Sequence, residues 1–381
     1  MKKKILIAHG FWGRGGAEVA TMQLIEILKN NFDIHLVTRG GWNLNELNEV
    51  AHTSISNTEI KFVKLPFKRL LANTTGGAIW HAIFLRHCRY IASKFDIRIT
   101  ASRTIGWGLP AVHFLSDVVW NCQLNEEYGE KTNQRNIFKK VLSNFGKILA
   151  GKGLYGLHNH DVFVANSQWT AIISAPYTTC QPIVIYPPVV ANFRDVIWSD
   201  RKNEFVSMGR IAPEKKIEDI ISIIEQVRAL GHEVGLTVFG VFDDSDYAQS
   251  IKILTLNKPW IKTPGAIYGE QKSTLLSTFR YGINACTREA FGISTAEMVK
   301  VGIIPFVPSQ GAQCEIVNNP GLIFNNKQDA VNRIITVLKS ESLQQKILQH
   351  LQNQALTFSP DLFKQDILKL FESYNIENKL K

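Results

Sequence analysis

The sequence predicts an α/β protein built from two doubly wound domains, and three observations predict it. The chain has 381 residues, more than a single hydrophobic core usually serves. Short apolar runs alternate with amphipathic stretches of helical period along its whole length, the pattern of parallel strands covered on both faces. Near the midpoint, Tyr186-Pro187-Pro188-Val189 forbids helix and favours an extended connection. The expected division is a first domain over residues 1–190, a second over 200–356 and a closing helical segment over 360–381.

In the first half, residues 4–8, 33–37, 60–63, 96–100, 111–115 and 161–165 read as strands. The opening run Ile5-Leu-Ile-Ala8 follows three lysines and stops after four residues at His9-Gly10. A signal peptide needs an apolar core of about seven residues or more, so a buried first strand is expected instead. No apolar stretch approaches the roughly 18 residues of a membrane span. In the second half the strands are 204–208, 235–239, 282–285, 303–307 and 322–324. Residues 217–230 form an amphipathic helix, and 360–374 a last one.

With 45% hydrophobic and 20% charged residues, the composition is that of a folded globular chain and excludes the disordered classes. Five cysteines without a C-x-x-C pair point to a reduced, cytoplasmic protein without a zinc site. The net charge of +10 is uneven: residues 1–190 hold 21 Lys and Arg against 12 Asp and Glu. That excess suggests an acidic partner for the first domain (anionic lipid, phosphorylated acceptor or polyanion), where the plain alternative is charge kept for solubility. Within it, residues 135–150, RNIFKKVLSNFGKILA, place Ile137, Phe138, Val141, Leu142 and Phe145 opposite Lys139, Lys140 and Lys147. Such a helix either lies on an anionic membrane, giving peripheral attachment at its inner face, or packs in the domain with a solvated side. Nucleic-acid binding lacks a recognition motif.

Two stretches carry chemistry. In Arg288–Glu297, REAFGISTAE, two carboxylates stand eight residues apart. With a helix starting near Gly292, Glu289 lies in the preceding loop and Glu297 on the second turn, while the free N–H groups of the first turn suit an anion such as a diphosphate. In Ser207–Lys216, SMGRIAPEKK, a strand runs into Gly209-Arg210, a Pro213 turn and Lys215. Two cations are thereby set at the carboxyl end of a strand, where open α/β sheets bind ligands. The glycine loop Gly10-Phe-Trp-Gly13-Arg-Gly15-Gly16-Ala-Glu18 lacks the G-x-G-x-x-G spacing, and the second strand ends in Thr38-Arg39 where a dinucleotide site usually has an acid. A nicotinamide or flavin cofactor is therefore disfavoured, and the lysine and hydroxyl of a P-loop are missing. Asp244-Ser245-Asp246 matches a D-x-D metal signature but opens a helix, where acids cap free N–H groups, so no metal is expected.

The combination GR-x-x-P-E-K and, about seventy residues later, E-x-F-G-x-x-x-x-E resembles the retaining nucleotide-sugar glycosyltransferases of the GT-B fold, in particular glycosyltransferase family 4. Further landmarks are Gly15-Gly16-Ala-Glu18, Ala165-Asn-Ser-Gln-Trp169, Ile185-Tyr-Pro-Pro-Val189 and Gly311-Ala312-Gln-Cys-Glu315. Departures are Lys216, where glycine is common, Ala290 after the first glutamate, and Ala312 for a second glycine. The resemblance implies two Rossmann-like domains facing across a cleft, with the last helix crossing back to the first. It implies a nucleotide-sugar donor on the second domain and a hydroxyl acceptor mainly on the first, and the basic charge of that domain suits a lipid-linked or cell-envelope acceptor. Arg210 and Lys215 would offset charge on the leaving diphosphate. Glu297 would hold the ribose hydroxyls, and Glu289 the donor sugar, helped by backbone N–H groups of Phe291, Gly292 and Ile293. Gly209 would border the donor, Gly15 and Gly16 would approach its phosphates, and His113, at the end of a strand, would lie beside its sugar, with His9, His158 and His160 as rivals. No cofactor is implied beyond the donor itself. The other functional classes are a sugar-nucleotide hydrolase or epimerase and a non-catalytic binding subunit.

Overall fold

The computed structural model describes residues 2–66, 78–128, 156–191 and 193–377. The basic segment 135–150 lies outside the described residues. Contacts divide the chain into two compact units, Met1–Pro187 with Phe363–Lys381, and Pro188–Leu362. The break falls between the tandem prolines.

The first unit is built on a seven-stranded parallel sheet. Its strands are β1 (Lys4–His9), β2 (Asp33–Thr38), β3 (Ile60–Phe62), β4 (Ile97–Thr100), β5 (Val112–Leu115), β6 (Val162–Ala165) and β7 (Ile183–Val184), in the order β3-β2-β1-β4-β5-β6-β7. Alternate residues of β1 explain the two-sided burial. Ile5 and Ile7 face a cluster that includes Leu24 and Ile25 of the helix Gly16–Leu28. Leu6 and Ala8 face a second cluster with Trp80, Leu85 and Trp107. The helix Pro360–Glu377 contributes Phe363, Ile367, Leu370, Phe371 and Tyr374 to the first of these clusters, a stripe at three- and four-residue spacing.

The second unit has a six-stranded parallel sheet, β8 (Lys202–Met208), β9 (Gly235–Phe239), β10 (Ile261–Gly265), β11 (Phe279–Ile283), β12 (Ile304–Pro308) and β13 (Ile323–Phe324). Its order is β10-β9-β8-β11-β12-β13, so both sheets wind in the doubly wound pattern. Phe205 of β8 stacks on Tyr281 of β11 with centroids 5.2 Å apart and lies tilted against Phe306 of β12 at 6.1 Å.

Several elements differ from the sequence expectation. The strand expected at 282–285 is Phe279–Ile283, because the buried Phe279 and Tyr281 pair with Lys202 and Phe205 of β8 and bring the start of the strand forward. Strands β7 and β10 are additional; both are edge strands that carry exposed residues and lack a strong apolar run. The helix Asp246–Thr255 is capped by Ser245, whose hydroxyl accepts from the Ala248 N–H at 3.2 Å, and the acid that folds back onto the backbone is Asp243, accepting from the Ser245 N–H at 3.1 Å. Capping at the D-x-D stretch thus comes from its serine.

His113 requires a correction. It is the second residue of β5, its side chain is wholly buried, and it faces the interior of the first unit. Its Nδ1 lies 3.1 Å from the Thr100 hydroxyl, its Nε2 lies 3.2 Å from Asp161 Oδ2, and its ring stacks on Phe163. A ring enclosed on all sides has no face for a donor sugar, so the residue is structural. Asp161 is the hub: Oδ1 accepts from the Ala111 N–H at 2.9 Å and Oδ2 from the His158 N–H at 2.7 Å, tying the start of β5 to the start of β6. Asp161→Ala strands both donors, each worth about 1–3 kcal/mol when buried without a partner. Chemical denaturation should therefore show a loss of about 2–4 kcal/mol, with Asp161→Asn losing less. An unchanged unfolding curve for the alanine variant would contradict this role.

Candidate active site

In the second sheet, β8 and β11 are neighbours although the chain passes from β8 to β9 on one side and from β11 to β12 on the other. The winding reverses between them, and a crevice opens at their carboxyl ends. Both charged stretches emerge there.

After β8 the chain turns at Gly209, whose φ of +146° suits glycine. Gly240, following β9, packs so closely that a Cβ on it would lie 1.6 Å from the Gly209 carbonyl oxygen. The chain continues through Arg210 to the short turn Pro213–Lys215. Lys216 ends that turn with φ +49°, a left-handed position that explains why glycine is common there. Its Nζ donates to the Thr287 hydroxyl at 3.3 Å.

Beyond β11, the Asn284 side-chain oxygen accepts from the Cys286 N–H at 2.9 Å and starts the loop that carries Glu289. Lys215 Nζ donates to Glu289 Oε2 at 2.5 Å, with 19% and 20% of the two side chains exposed. Burial disfavours the lysine's charge, but the Glu289 carboxylate, aided by Cys286 and Glu214, outweighs it and raises the pKa above the usual lysine value. Arg210 is 69% exposed and pairs with Glu214 at 2.9 Å. A cavity of about 10 Å³, enough for a water-sized group, is lined by Gly209, Arg210, Lys215 and Asn284.

The Glu289 loop is latched from the next connection. Ala312 N–H donates to the Glu289 carbonyl at 2.9 Å. The Gln313 side chain donates to the Cys286 carbonyl at 2.9 Å and accepts from the Thr295 hydroxyl at 2.7 Å. Phe291 is buried edge-on against Phe358 at 5.5 Å, so its side chain serves packing and only its backbone is suited to a ligand. Gly292, φ +100°, is the N-cap of the helix Ile293–Val301, and a Cβ on it would lie 2.9 Å from Gln313 Cγ. This helix has no side-chain cap and no acid in its first turn, which leaves the amides of that turn suited to an anion. Glu297, on its second turn, accepts from Lys272 Nζ at 2.5 Å.

The structure thus joins Gly209, Arg210, Lys215 and Glu289 directly and sets Gly292, Ile293 and Glu297 on the adjoining helix. It does not bring His113 to a surface. Gly15 and Gly16 open a helix of the first unit, where the Gly15 N–H donates to Glu18 Oε2 at 3.0 Å and is already occupied. Lys272 and Gln313 are the site residues that sequence reasoning missed. Lys272 stands 25 positions from its partner with no shared motif, whereas Gln313 lies inside the Gly311–Glu315 segment and was within reach.

Comparison with known proteins bears on this arrangement. Residues 191–354, which include Arg210, Lys215, Glu289 and Glu297, match the family model of glycosyl transferases group 1. In an alignment of 260 positions that covers 61% of this chain, it is 24% identical to the GDP-Man:Man(3)GlcNAc(2)-PP-Dol alpha-1,2-mannosyltransferase of Dictyostelium discoideum. It covers 49% of that protein, about half its length. The Anabaena protein HepE, solved in complex with UDP and glucose, superposes with a TM-score of 0.69 at 17% identity, over 97% of this chain and 100% of that one. The sucrose-phosphate synthase of Thermosynechococcus elongatus superposes with a TM-score of 0.71 at 13% identity, over 99% and 100%. This chain has the GT-B fold. In GT-B terms, the crevice between β8 and β11 belongs to the second of the two Rossmann-like units.

The raised pKa of Lys215 fixes the sign of a pH effect. A lysine whose folded pKa exceeds its unfolded value of about 10.5 contributes stability at all lower pH and loses it as pH rises through the folded value. The stability difference between wild type and Lys215→Met should be constant from pH 7 to about 9 and shrink above about 10.5. A difference that grows with pH over that range would mean that the pair is not charged as described.

Proposed function

We propose that this protein is a retaining, family 4-like glycosyltransferase that moves a sugar from a nucleoside-diphosphate sugar to an acceptor hydroxyl. The observation that carries the reading is the Lys215–Glu289 pair beside Gly209-Arg210, at the point where the second sheet reverses its winding. The group 1 match over residues 191–354 supports it. So do the name of the Dictyostelium relative, a mannosyltransferase using a GDP sugar, and the UDP and glucose bound by HepE. Uridine and guanosine donors are both consistent with those names.

Breaking the glycosidic bond leaves growing negative charge on the diphosphate, and stabilising that charge is the main catalytic task. Lys215 offers a point charge held in place by Glu289, Arg210 a planar fork on an exposed stem, and the helix Ile293–Val301 its first-turn amides. Glu289, oriented by its bond to Lys215, keeps its second oxygen for hydroxyls of the donor sugar. Glu297, with Oε1 on Lys272, keeps Oε2 for a ribose hydroxyl. No enzymic nucleophile is assigned. Transfer proceeds on the front face, where the leaving phosphate accepts the proton of the attacking hydroxyl and configuration is retained. The two cations and the helix amides fill the place of a divalent ion, so catalysis is metal-independent. An acceptor carried on a lipid diphosphate fits the name of the Dictyostelium relative.

A transfer assay with UDP- and GDP-sugars, scoring product and free sugar separately, tests the reading. Lys215→Ala and Arg210→Ala should each lower turnover by about 2–4 kcal/mol of transition-state stabilisation, roughly 30- to 1,000-fold. Turnover preserved within a factor of a few would remove the leaving-group role, and free sugar without transfer would make the protein a hydrolase. In the same assay EDTA should leave the rate unchanged. Complete loss, restored by manganese or magnesium, would return Asp244 and Asp246 to metal binding.

A further inference from the structure

The first unit has its own reversal of winding, between β1 and β4, and a cavity of about 240 Å³ lies at that point, at the carboxyl ends of β1, β2, β4 and β5. Arg39, just beyond β2, and Arg103, just beyond β4, both line it. Arg39 is half-buried, and its Nε donates to the Gly10 carbonyl at 3.3 Å. Among the described residues no carboxylate comes within salt-bridge distance of either arginine. The two guanidinium groups instead act on each other: burial and the Arg103 charge both lower the pKa of Arg39.

The remaining polar lining suits an anion. His81 is held near a pKa of about 4 by burial and then by the charges of Arg39 and Arg103. His9, 2% exposed, is held at about 4 by burial, opposed by the nearby Phe11 backbone, and neither ring nitrogen makes a hydrogen bond among the described residues. Both rings are neutral at pH 7 and present N–H donors or acceptors. Each acid of the lining has one oxygen on a backbone donor: Glu18 Oε2 accepts from the Gly15 N–H at 3.0 Å, with Oε1 lying 3.9 Å from His9 Nε2, and Asp117 Oδ1 accepts from the Val119 N–H at 2.9 Å. Burial raises the pKa of Asp117, against the opposing pull of the Arg103 charge and the Val119 N–H.

We infer that this cavity binds a phosphate group of the acceptor, held between Arg39 and Arg103 with the buried His9 ring as a further hydrogen-bonding partner. Among the described residues neither guanidinium is held in an ion pair, and two arginines on one cavity are well shaped for phosphate oxygens. The inference rests on the glycosyltransferase reading for the word acceptor, but not for the binding itself. It also gives the positive charge of residues 1–190 a specific use.

The test is calorimetric titration of the full chain with inorganic phosphate and glucose 1-phosphate. An Arg210→Ala/Lys215→Ala background keeps the cations of the second unit from contributing. Arg39→Gln and Arg103→Gln should each weaken binding about tenfold, the usual scale for losing one charge-assisted contact, while Arg39→Lys loses less. Arg103 is exposed, so its substitution decides the matter even if Arg39→Gln perturbs folding. Vesicles containing phosphatidic acid, compared with pure phosphatidylcholine, form the second arm. Arginine-dependent binding of glucose 1-phosphate identifies a soluble phosphorylated acceptor, and arginine-dependent binding of vesicles alone a lipid-borne phosphate. Absence of binding in both arms, or binding that neither arginine variant changes, overturns the inference. Affinity for UDP and GDP, measured without the background substitutions, should be unaffected by Arg39→Gln or Arg103→Gln. Its loss in Lys215→Ala alone judges the donor site separately.

Discussion

A parallel sheet that winds in both directions from its centre has one place where two neighbouring strands send their connections to opposite sides. Helices cannot cover that place, so the carboxyl ends of the two strands stay open and whatever follows them meets in the crevice. In the second unit the strands are β8 and β11, and the residues that follow are Gly209, Arg210 and Lys215 on one side and Cys286 to Glu289 on the other. The ion pair between Lys215 and Glu289 is thus a consequence of topology as much as of local sequence, since 74 residues separate its partners.

Close packing turns that meeting into a defined site. Gly240 sits against the Gly209 carbonyl with no room for a side chain, and Gly292 stands in the left-handed region hard against Gln313. Gln313, fully buried, bonds both to the Cys286 carbonyl at the root of the Glu289 loop and to Thr295 in the helix that bears Glu297. One amide side chain therefore ties together the loop and the helix that carry the two glutamates. The same topology recurs in the first unit, where His9, Arg39 and Arg103 gather at the reversal between β1 and β4.

Much of this was legible in the residues. Apolar runs located eleven of the thirteen strands found among the described residues, because a strand buried on both faces must be apolar throughout, and the two additional strands, β7 and β10, are partly exposed edges. The helix start at Gly292 could be read from the glycine and the apolar period after it. Partnerships over long separations could not be read. Nothing near Lys272 announces Glu297, and nothing near His113 announces that Asp161 and Thr100 will enclose it. A histidine close to the end of a strand is one register step from the crevice or the core, and only the packing of β5 against β4 and β6 decides which.

The central claim is that the crevice between β8 and β11 holds the diphosphate of a nucleotide sugar. A crystal structure of the protein with a bound UDP- or GDP-sugar tests it most directly. The account predicts a diphosphate oxygen at hydrogen-bond distance, about 2.7–3.2 Å, from Lys215 Nζ and from first-turn amides of the helix Ile293–Val301, with ribose hydroxyls on Glu297. A nucleotide sugar bound elsewhere, with the Lys215–Glu289 pair untouched and the helix N-terminus vacant, would contradict it.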